Sequence, residues 1–481
     1  MALLTMTQPD HISIEPHYSV VVVGGGFSGA VLAAHLARAT GDGFSVLVPD
    51  RNPGRGRGVA YGTPCGGHLL NVAAGNMSAF RDDPEHFLRW AQTHYDRAVA
   101  PGRFLPRRVY GQYIEWVLAQ AMEEQPGKIE WRRDEVESIT PTGEAAAIRL
   151  RGGSGLTAGK VVLAMGNFPP AACALPEALR KSSGYIPNPW AATALDGAEK
   201  EGSILLVGSG LTSVDMTIAL RARGFKGVIH LLSRHGLLPQ EHKPARAWPA
   251  FWDQTAPRTV RALMGLVREQ VQAAQENGGD WRAVIDSLRP YTAAIWQSLA
   301  VKEKRRFLRH VRPYWEVHRH RIAPEIGCLI GEQVDSGEIE SHAGRMVDGH
   351  ERGGKTEVTF RDRKTGKLVD LMVDRVINCT GPEADIRKLD DRLVNDLLRR
   401  GLVRPDRLRL GLDVAEDGAV IDAQGLASNL IYAVGPARKG RLWETTAVPE
   451  IRQQIAELGV LLTEGRRRIE IGETAGLFAA D

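Results

Sequence analysis

The stretch Ser19–Ala37, SVVVVGGGFSGAVLAAHLA, restricts what this chain can fold into more than any other. An apolar run, Val20–Val23, meets the turn Gly24-Gly25-Gly26-Phe27-Ser28-Gly29, and an alanine- and leucine-rich helical pattern follows. The order is strand, tight turn, helix, with G-x-G-x-x-G at Gly24, Gly26 and Gly29. In such a turn the first glycine permits the sharp bend. The second lets the backbone approach a pyrophosphate, and the third lets the helix pack close on the strand. The phosphates then lie at the helix N-terminus beside Phe27 and Ser28, where unpaired N–H groups and the helix dipole favour negative charge. The stretch has no charged residue and is nearly long enough to span a bilayer. Its central glycines, and the acid that ends the next strand, argue for a βαβ unit instead.

That next strand, Phe44–Val48, leads to Asp50, which follows Gly29 by 21 residues. A carboxylate there accepts hydrogen bonds from an adenosine ribose. Arg51 comes next, then the glycine/arginine loop 54–61 with Arg57, placed to reach a nucleotide phosphate or the flavin edge, or to remain a solvated basic loop. A second copy of the device occupies Ile204–Val214: an apolar strand, then Gly208-Ser209-Gly210-Leu211-Thr212-Ser213, then a helix. The following strand, Val228–Leu232, leads to Arg234, which follows Ser213 by the same interval. The copies differ where it matters. A carboxylate suits a ribose hydroxyl, whereas an arginine suits a 2′-phosphate. The first copy is therefore expected to hold FAD and the second NADPH, with NADH the alternative if Arg234 only faces solvent.

The rest of the chain arranges itself around these two units. His68 and Asn71 flank an apolar pair and are candidates for a partly closed site. A strand pattern covers Ile129–Ser138 and includes Val136; another covers Ala146–Leu150. The strand Val161–Gly166 ends in glycine, as does Arg375–Gly381. Ala245–Arg321 is too long for a simple connection and rich in aromatic residues, so it reads as a mostly helical insertion that builds or lids a substrate pocket. Its basic run, Lys302–Arg321, reads as a solvated helix face or an anion site, and its His-x-His pair lacks the companions a metal site needs. Near the C-terminus come Gly435 and then Trp443–Glu450, where Thr445 or Thr446 would cap a helix with Pro449 in its first turn. That helix N-terminus would face a reduced flavin ring.

Composition bounds the function classes. A chain of 481 residues is long enough for two or three domains. The formal net charge of +4 gives no general case for nucleic-acid binding. The four cysteines, Cys65, Cys173, Cys328 and Cys379, form no C-x-x-C, which argues against a dithiol redox centre or a zinc knuckle. Cys379 reads as a buried small residue. Met1–His17 reads as a loose lead-in without the basic start and apolar core of a signal peptide, and the cysteine usage suits a reducing cytoplasm. No Ser/His/Asp set or paired carboxylates compete as a catalytic centre.

The motifs GRGVAYGTP (56–64), HLLNV (68–72), GSGLTSVD (208–215), LSRHGLLP (232–239), HRHR (318–321) and WETTAVPEIR (443–452) together resemble one bacterial group. It is the family of FAD/NAD(P)-binding flavoproteins that includes FAD-dependent urate hydroxylases and amino-acid N-oxygenases. The resemblance runs over about residues 18–465. It implies an α/β fold of two Rossmann-like dinucleotide-binding domains, the NAD(P)H domain (171–372, with the helical insertion 245–321) inserted in an FAD domain (18–170 and 373–470). It implies a monooxygenase that consumes NAD(P)H and O₂ and oxygenates a small nitrogen-containing substrate, a urate-like purine or an amine, through a flavin hydroperoxide. The alternative is an NAD(P)H-dependent flavin oxidoreductase without oxygen insertion. In similar enzymes the asparagine matching Asn71 lies beside the flavin, so Asn71 and His68 are the candidate catalytic residues; the Asn71–Met77 spacing is one longer than in the wider group. Candidate cofactor contacts beyond the two turns, Asp50, Arg51, Arg57 and Arg234 are Val136, Gly166, Gly381, Gly435 and Thr446. No metal, membrane or nucleic-acid partner is expected, and the oligomeric state is not legible.

Overall fold

The apolar runs become strands because their residues are largely β-branched or leucine and both of their faces are covered, which leaves no polar side to show. A computed structural model describes residues 16–171 and 175–476; the lead-in before residue 16 and Cys173 lie outside the described residues. The first six strands are β1 (His17–Val23), β2 (Val46–Pro49), β3 (Ile129–Arg132), β4 (Val136–Thr142), β5 (Ala145–Leu150) and β6 (Gly155–Leu163). Seven more follow: β7 (Tyr185–Ile186), β8 (Ser203–Val207), β9 (Val228–Ser233), β10 (Ile339–Arg352), β11 (Lys355–Asp362), β12 (Leu368–Val373) and β13 (Arg375–Asn378). The chain then adds β14 (Ala419–Ile421) and β15 (Ala427–Ala433).

Two sheets result, and four strands of each parallel core share one topology, while the fifth comes last in the chain in the first sheet (β15) and first in the second (β7). The first runs β3-β2-β1-β6-β15 and the second β10-β9-β8-β13-β7. The internal repeat read from the glycine turns therefore extends to four parallel strands of each sheet. Each sheet gains antiparallel strands: β4 and β5 beside β6 in the first, β11 and β12 beside β10 in the second. Because β14 and β15 return to the first sheet after the second is complete, the second dinucleotide unit is inserted in the first. This is an α/β fold with two Rossmann-like dinucleotide-binding domains.

Three expectations change in detail. The alternating stretch Ile129–Ser138 is not one strand. β3 pairs in parallel with β2, β4 pairs antiparallel with β5, and the chain turns between these two partners. The return to the first domain was expected at 373, yet β13 lies in the second sheet between β8 and β7, so the return follows it. The insertion opens with extended chain; its first helix is Val260–Glu276. Four more helices of the insertion follow, from Trp281 to Arg319, before Pro324–Asp335 packs back on the second sheet through Ile326 and Ile330. No helix among the described residues is long and apolar enough to cross a membrane.

The two domains are docked through a buried charge. Asp215, in the helix Leu211–Ala222 of the second domain, receives Arg107 of the first at 2.8 Å and 3.0 Å. Burial pushes the Asp215 carboxyl up, and Arg107 and His68 act against that. Around the pair, Cys65, Leu69 and Phe104 of the first domain pack against the apolar core of the second. Replacing Arg107 with Met strands a buried carboxylate and is expected to cost about 3–5 kcal/mol, seen as a lower denaturation midpoint. Arg107→Met combined with Asp215→Leu should regain much of that loss. An unchanged midpoint in the single variant would show that docking does not rest on this pair.

Candidate active site

The first glycine turn is built by close backbone approach. Gly24 has φ +102°, and a Cβ there would lie 2.7 Å from the Ala164 carbonyl oxygen, where the chain leaves β6. A Cβ on Gly29 would stand 1.9 Å from the Gly24 carbonyl oxygen. Gly26 is the N-cap of the helix Phe27–Ala39, makes no side-chain cap, and no acid occupies the first turn. The N–H groups there are the unpaired donors that a pyrophosphate needs. Ser28 is buried within the same turn, and a Cβ on Gly435 would lie 3.0 Å from its Oγ, so the C-terminal return closes over this N-terminus. The loop after β2 closes over it too: the Gly56 N–H donates to the Gly25 carbonyl at 2.9 Å, and Gly58 faces Gly26.

Asp50 stands at the end of β2. Its Oδ1 accepts from the Asn52 backbone and side-chain amides at 3.1 Å and 3.2 Å. Its Oδ2 is buried with no hydrogen bond of good geometry; burial pushes the carboxyl above its usual range, and the Asn52 amides, Arg51 and the nearby Gly25 N–H act against that. A buried acceptor left open costs free energy unless something fills it. A ribose hydroxyl supplies the missing donor, so the residues present fit the adenosine half of FAD.

The second turn repeats the first with one substitution. Gly208 has φ +118°, and a Cβ there would lie 2.4 Å from the Cys379 carbonyl oxygen, where the chain leaves β13. Gly166 and Gly381 thus play matching parts, each just past the strand end that crosses a glycine turn, with φ of +66° and +87°. At the third position Ser213 replaces glycine, and its Oγ donates to the Gly208 carbonyl at 2.7 Å. Gly210 is the N-cap of the helix that Leu211 and Thr212 begin, with open space where its side chain would be. Arg234 is exposed at the strand end. Arg345 and Arg363, which sequence reasoning missed because they come from β10 and the turn after β11, lie within electrostatic reach of the same spot. Burial, and then Arg363, Arg234 and Arg345, lower the His235 pKa, and His235 Nδ1 is buried without a partner. Three cations and an open ring nitrogen at one strand end fit a phosphate.

Several expected contacts are committed elsewhere. His68 is buried, its Nδ1 at 2.7 Å from Thr63 Oγ1 and its Nε2 at 2.8 Å from the Asp215 carbonyl oxygen. Both nitrogens are engaged, Nδ1 within its own domain and Nε2 across the domain boundary, so in this structure the ring serves docking. Arg57 forms a two-pronged pair with Glu115, both bonds 2.6 Å, and Arg51 is exposed beside Glu135 and Asp391. Neither is left to meet a phosphate by itself. Val136 is buried at the start of β4. Thr446 is exposed, while Thr445 does not cap a helix: its Oγ1 donates to the Gly435 carbonyl at 2.8 Å and accepts from Gln454.

Asn71 lies in a half-buried loop, and its carbonyl oxygen is 3.0 Å from His242 Nε2. Burial, then the Arg321 charge, push the His242 imidazole down to about 4, so it is neutral and donates to Asn71. His242, which no motif announced, ties the Asn71 loop to the root of the insertion.

The HRHR and WETTAVPEIR motifs meet. Arg319 reaches Glu450 at 3.3 Å, where Arg289 also donates at 2.8 Å, and His320 Nε2 lies 3.1 Å from Glu444 Oε2. Trp315 donates to Glu444 at 2.9 Å, and Arg321 pairs with Asp286. Burial works against the Glu444 carboxylate, but His320, Arg319 and Trp315 hold it well below the usual range. The end of the basic run is therefore a set of partly buried ion pairs, not a solvated face. Beside it the insertion forms an apolar cavity of about 790 Å³, open on one side and walled by Trp252, Met264, Trp281, Trp296, Phe307 and Trp443.

Residues 21–168 match a family model described as FAD-NAD(P)-binding. A search of curated proteins by sequence found no match. Among solved structures, the chain is similar to an ornithine N-hydroxylase from Kutzneria sp. 744 with reduced FAD, NADP⁺ and L-ornithine. That match has 15% identity, covers 94% of this chain and 100% of that one, and has a TM-score of 0.63. It is similar to L-lysine 6-monooxygenase from Pseudomonas syringae at 16% identity, 93% and 99% coverage and a TM-score of 0.64. It is also similar to a bacillithiol disulfide reductase from Staphylococcus aureus, at 11% identity, 94% and 99% coverage and a TM-score of 0.56. The chain has the fold of a two-dinucleotide-domain flavoprotein. That fold serves more than one chemistry, so the site must carry the rest of the argument.

Asp50→Ala removes the side-chain acceptor that fits the ribose. A hydrogen bond to a charged group is worth about 1.5–3 kcal/mol, so FAD should bind about tenfold or more weakly. Flavin absorbance per mole of purified chain measures this, and full retention would contradict the assignment.

Proposed function

We propose that this chain is an FAD-dependent, NADPH-consuming monooxygenase acting on a small nitrogen-containing substrate. The observation that carries the reading is the pairing of two glycine turns that end differently. One presents a buried, half-satisfied carboxylate, and the other presents Arg234, Arg345 and Arg363. The fit is FAD on the first turn and a 2′-phosphorylated nicotinamide nucleotide on the second. Bound FAD would supply the redox chemistry with O₂. The chain's own residues orient the two nucleotides and exclude water. Asn71, held through its backbone by His242, is the polar side chain proposed to face the reacting centre. The ornithine and lysine enzymes on this fold are named as oxygenating a nitrogen compound, which is the ground for proposing oxygen insertion here. The bacillithiol disulfide reductase on the same fold makes plain electron transfer the reading that oxygen labelling must exclude.

The cavity bears on the substrate. Its charged lining is basic, with Arg261, Arg268, Arg306, His310 and His318, and no carboxylate lines it. Trp443 is one wall and stands two residues before Thr445, which is bonded to Gly435 over the first glycine turn. A planar nitrogen heterocycle, neutral or anionic like urate, can stack on the aromatic walls and meet the basic charges, which repel a cationic diamine.

Two measurements test these statements. With isotope-labelled O₂, a purine substrate should gain one labelled oxygen while NADPH is consumed. NADPH consumption that yields only hydrogen peroxide with every purine and amine tried would favour the plain oxidoreductase. Arg234→Ala should raise the NADPH KM about tenfold, the scale of one charged hydrogen bond, and leave the NADH KM nearly unchanged. Equal effects on both would sink the 2′-phosphate role.

A further inference from the structure

The second sheet carries a cluster that neither nucleotide uses. β9 and β10 run parallel with His230 opposite Glu340, and His342 lies two residues further along β10. Residues in register, and residues two apart on one strand, share a sheet face. That face is the one opposite Ile229, Leu231 and Ile339, which enter the helix-covered core. On it His230 Nδ1 lies 3.2 Å from His342 Nε2 and 3.3 Å from Glu340 Oε2, and His342 Nε2 lies 3.8 Å from the same oxygen. His230 is buried, His342 half-buried and Glu340 exposed, and the Phe360 ring packs 5.3 Å from His342.

Three lone-pair atoms from three residues converge here. A proton shared by the two rings answers one of the three contacts and leaves the other two as donor-poor approaches. A divalent ion answers all three. Zinc bonds of about 2.0–2.2 Å in a tetrahedron separate ligand atoms by about 3.3–3.6 Å, and the observed separations bracket that range. We propose that His230, His342 and Glu340 form a binding site for a late first-row divalent cation of the zinc type. Two imidazoles and one carboxylate are the donor set such ions take. The exposed side of Glu340 leaves a coordination position for water.

The ion would link β9 to β10. Arg234 follows His230 by four residues and Arg345 follows His342 by three, so the link lies beneath the cations at the second turn. The site is separate from the His-x-His pair of the insertion, whose rings are engaged: His318 with the Tyr314 carbonyl and His320 with Glu444. Sequence spacing alone had no means of joining His230 to His342, which are 112 residues apart.

The experiment is a titration of the full chain with Zn²⁺ by calorimetry, after treatment with a chelator, alongside Co²⁺ followed by its visible d–d absorption. One equivalent of Zn²⁺ should bind and Co²⁺ should develop a visible band. His342→Ala and Glu340→Gln should each weaken Zn²⁺ at least about tenfold, since even outer-shell partners act on that scale, and should abolish the band. His318→Ala should change neither, and unchanged flavin content would show that the variants fold. Failure of the folded chain to bind Zn²⁺ would overturn the proposal. So would Zn²⁺ binding and a Co²⁺ band that persist in both His342→Ala and Glu340→Gln.

Discussion

Asp215 is the constraint on which the arrangement of the two nucleotide sites depends. A carboxylate taken out of water costs several kcal/mol unless its oxygens are answered. Arg107 answers them from the first domain, and His68 bonds the backbone of the same residue. His68 leads into the Asn71 loop, and Arg107 ends the segment that bonds alongside it, Leu70 N–H to the Leu105 carbonyl and Arg107 N–H to the His68 carbonyl. Docking the domains any other way would bare the charge. The relative placement of the two glycine turns is therefore set by one electrostatic contact, with apolar packing around it.

The insertion is fastened by a second set of contacts, and here the backbone is strained. Trp443 has φ +64° and ψ −65°, and the Glu444 N–H donates to the Leu442 carbonyl at 2.8 Å. This is the rare, unfavourable form of the γ-turn. Such outliers cost about 1–3 kcal/mol and persist where the surroundings over-determine them. The surroundings do so: the Trp443 ring stacks on Trp296 at 4.9 Å, and the next side chain, Glu444, is gripped by His320 and Trp315. The turn presents Trp443 to the cavity and, two residues on, Thr445 to Gly435. A change in the cavity wall thus has a short, stiff route to the return segment over the first nucleotide turn.

What was legible in the sequence was what is local. Gly24, Gly29, Gly208 and Asp50 can be read because each acts within one strand–turn–helix, where spacing fixes geometry. Ser213 is legible in place but not in reason: only the structure shows its hydroxyl doing with a hydrogen bond what Gly29 does by having no side chain. Arg57 and Arg51 read as nucleotide contacts and His68 as catalytic because polar residues near a glycine turn have no visible partner in one dimension. Their partners, Asp215, Glu115, Glu135 and Asp391, come from distant segments. The edge of β13 was misplaced for the same reason, since a short apolar strand carries no mark of which sheet it joins. HRHR and WETTAVPEIR stood out as separate motifs, and their spacing in the chain conceals that they are one contact.

The likeness to the ornithine and lysine enzymes reaches the path of the backbone, and the charges around the cavity differ from what a diamine would ask. An ammonium group buried without a carboxylate is costly. Four acids near the cavity are spoken for: Glu303 by Arg306 and the Val260 N–H, Asp286 by Arg321, Glu444 by His320 and Trp315, Glu450 by Arg289 and Arg319. Freeing any of them would leave a cation unpaired in a partly buried place. The walls are aromatic and the rim charges are arginine and histidine. The same ion pairs that fasten the insertion to the return helix thus withdraw negative charge from the cavity, so the fastening and the electrostatic preference of the pocket arise from one set of residues.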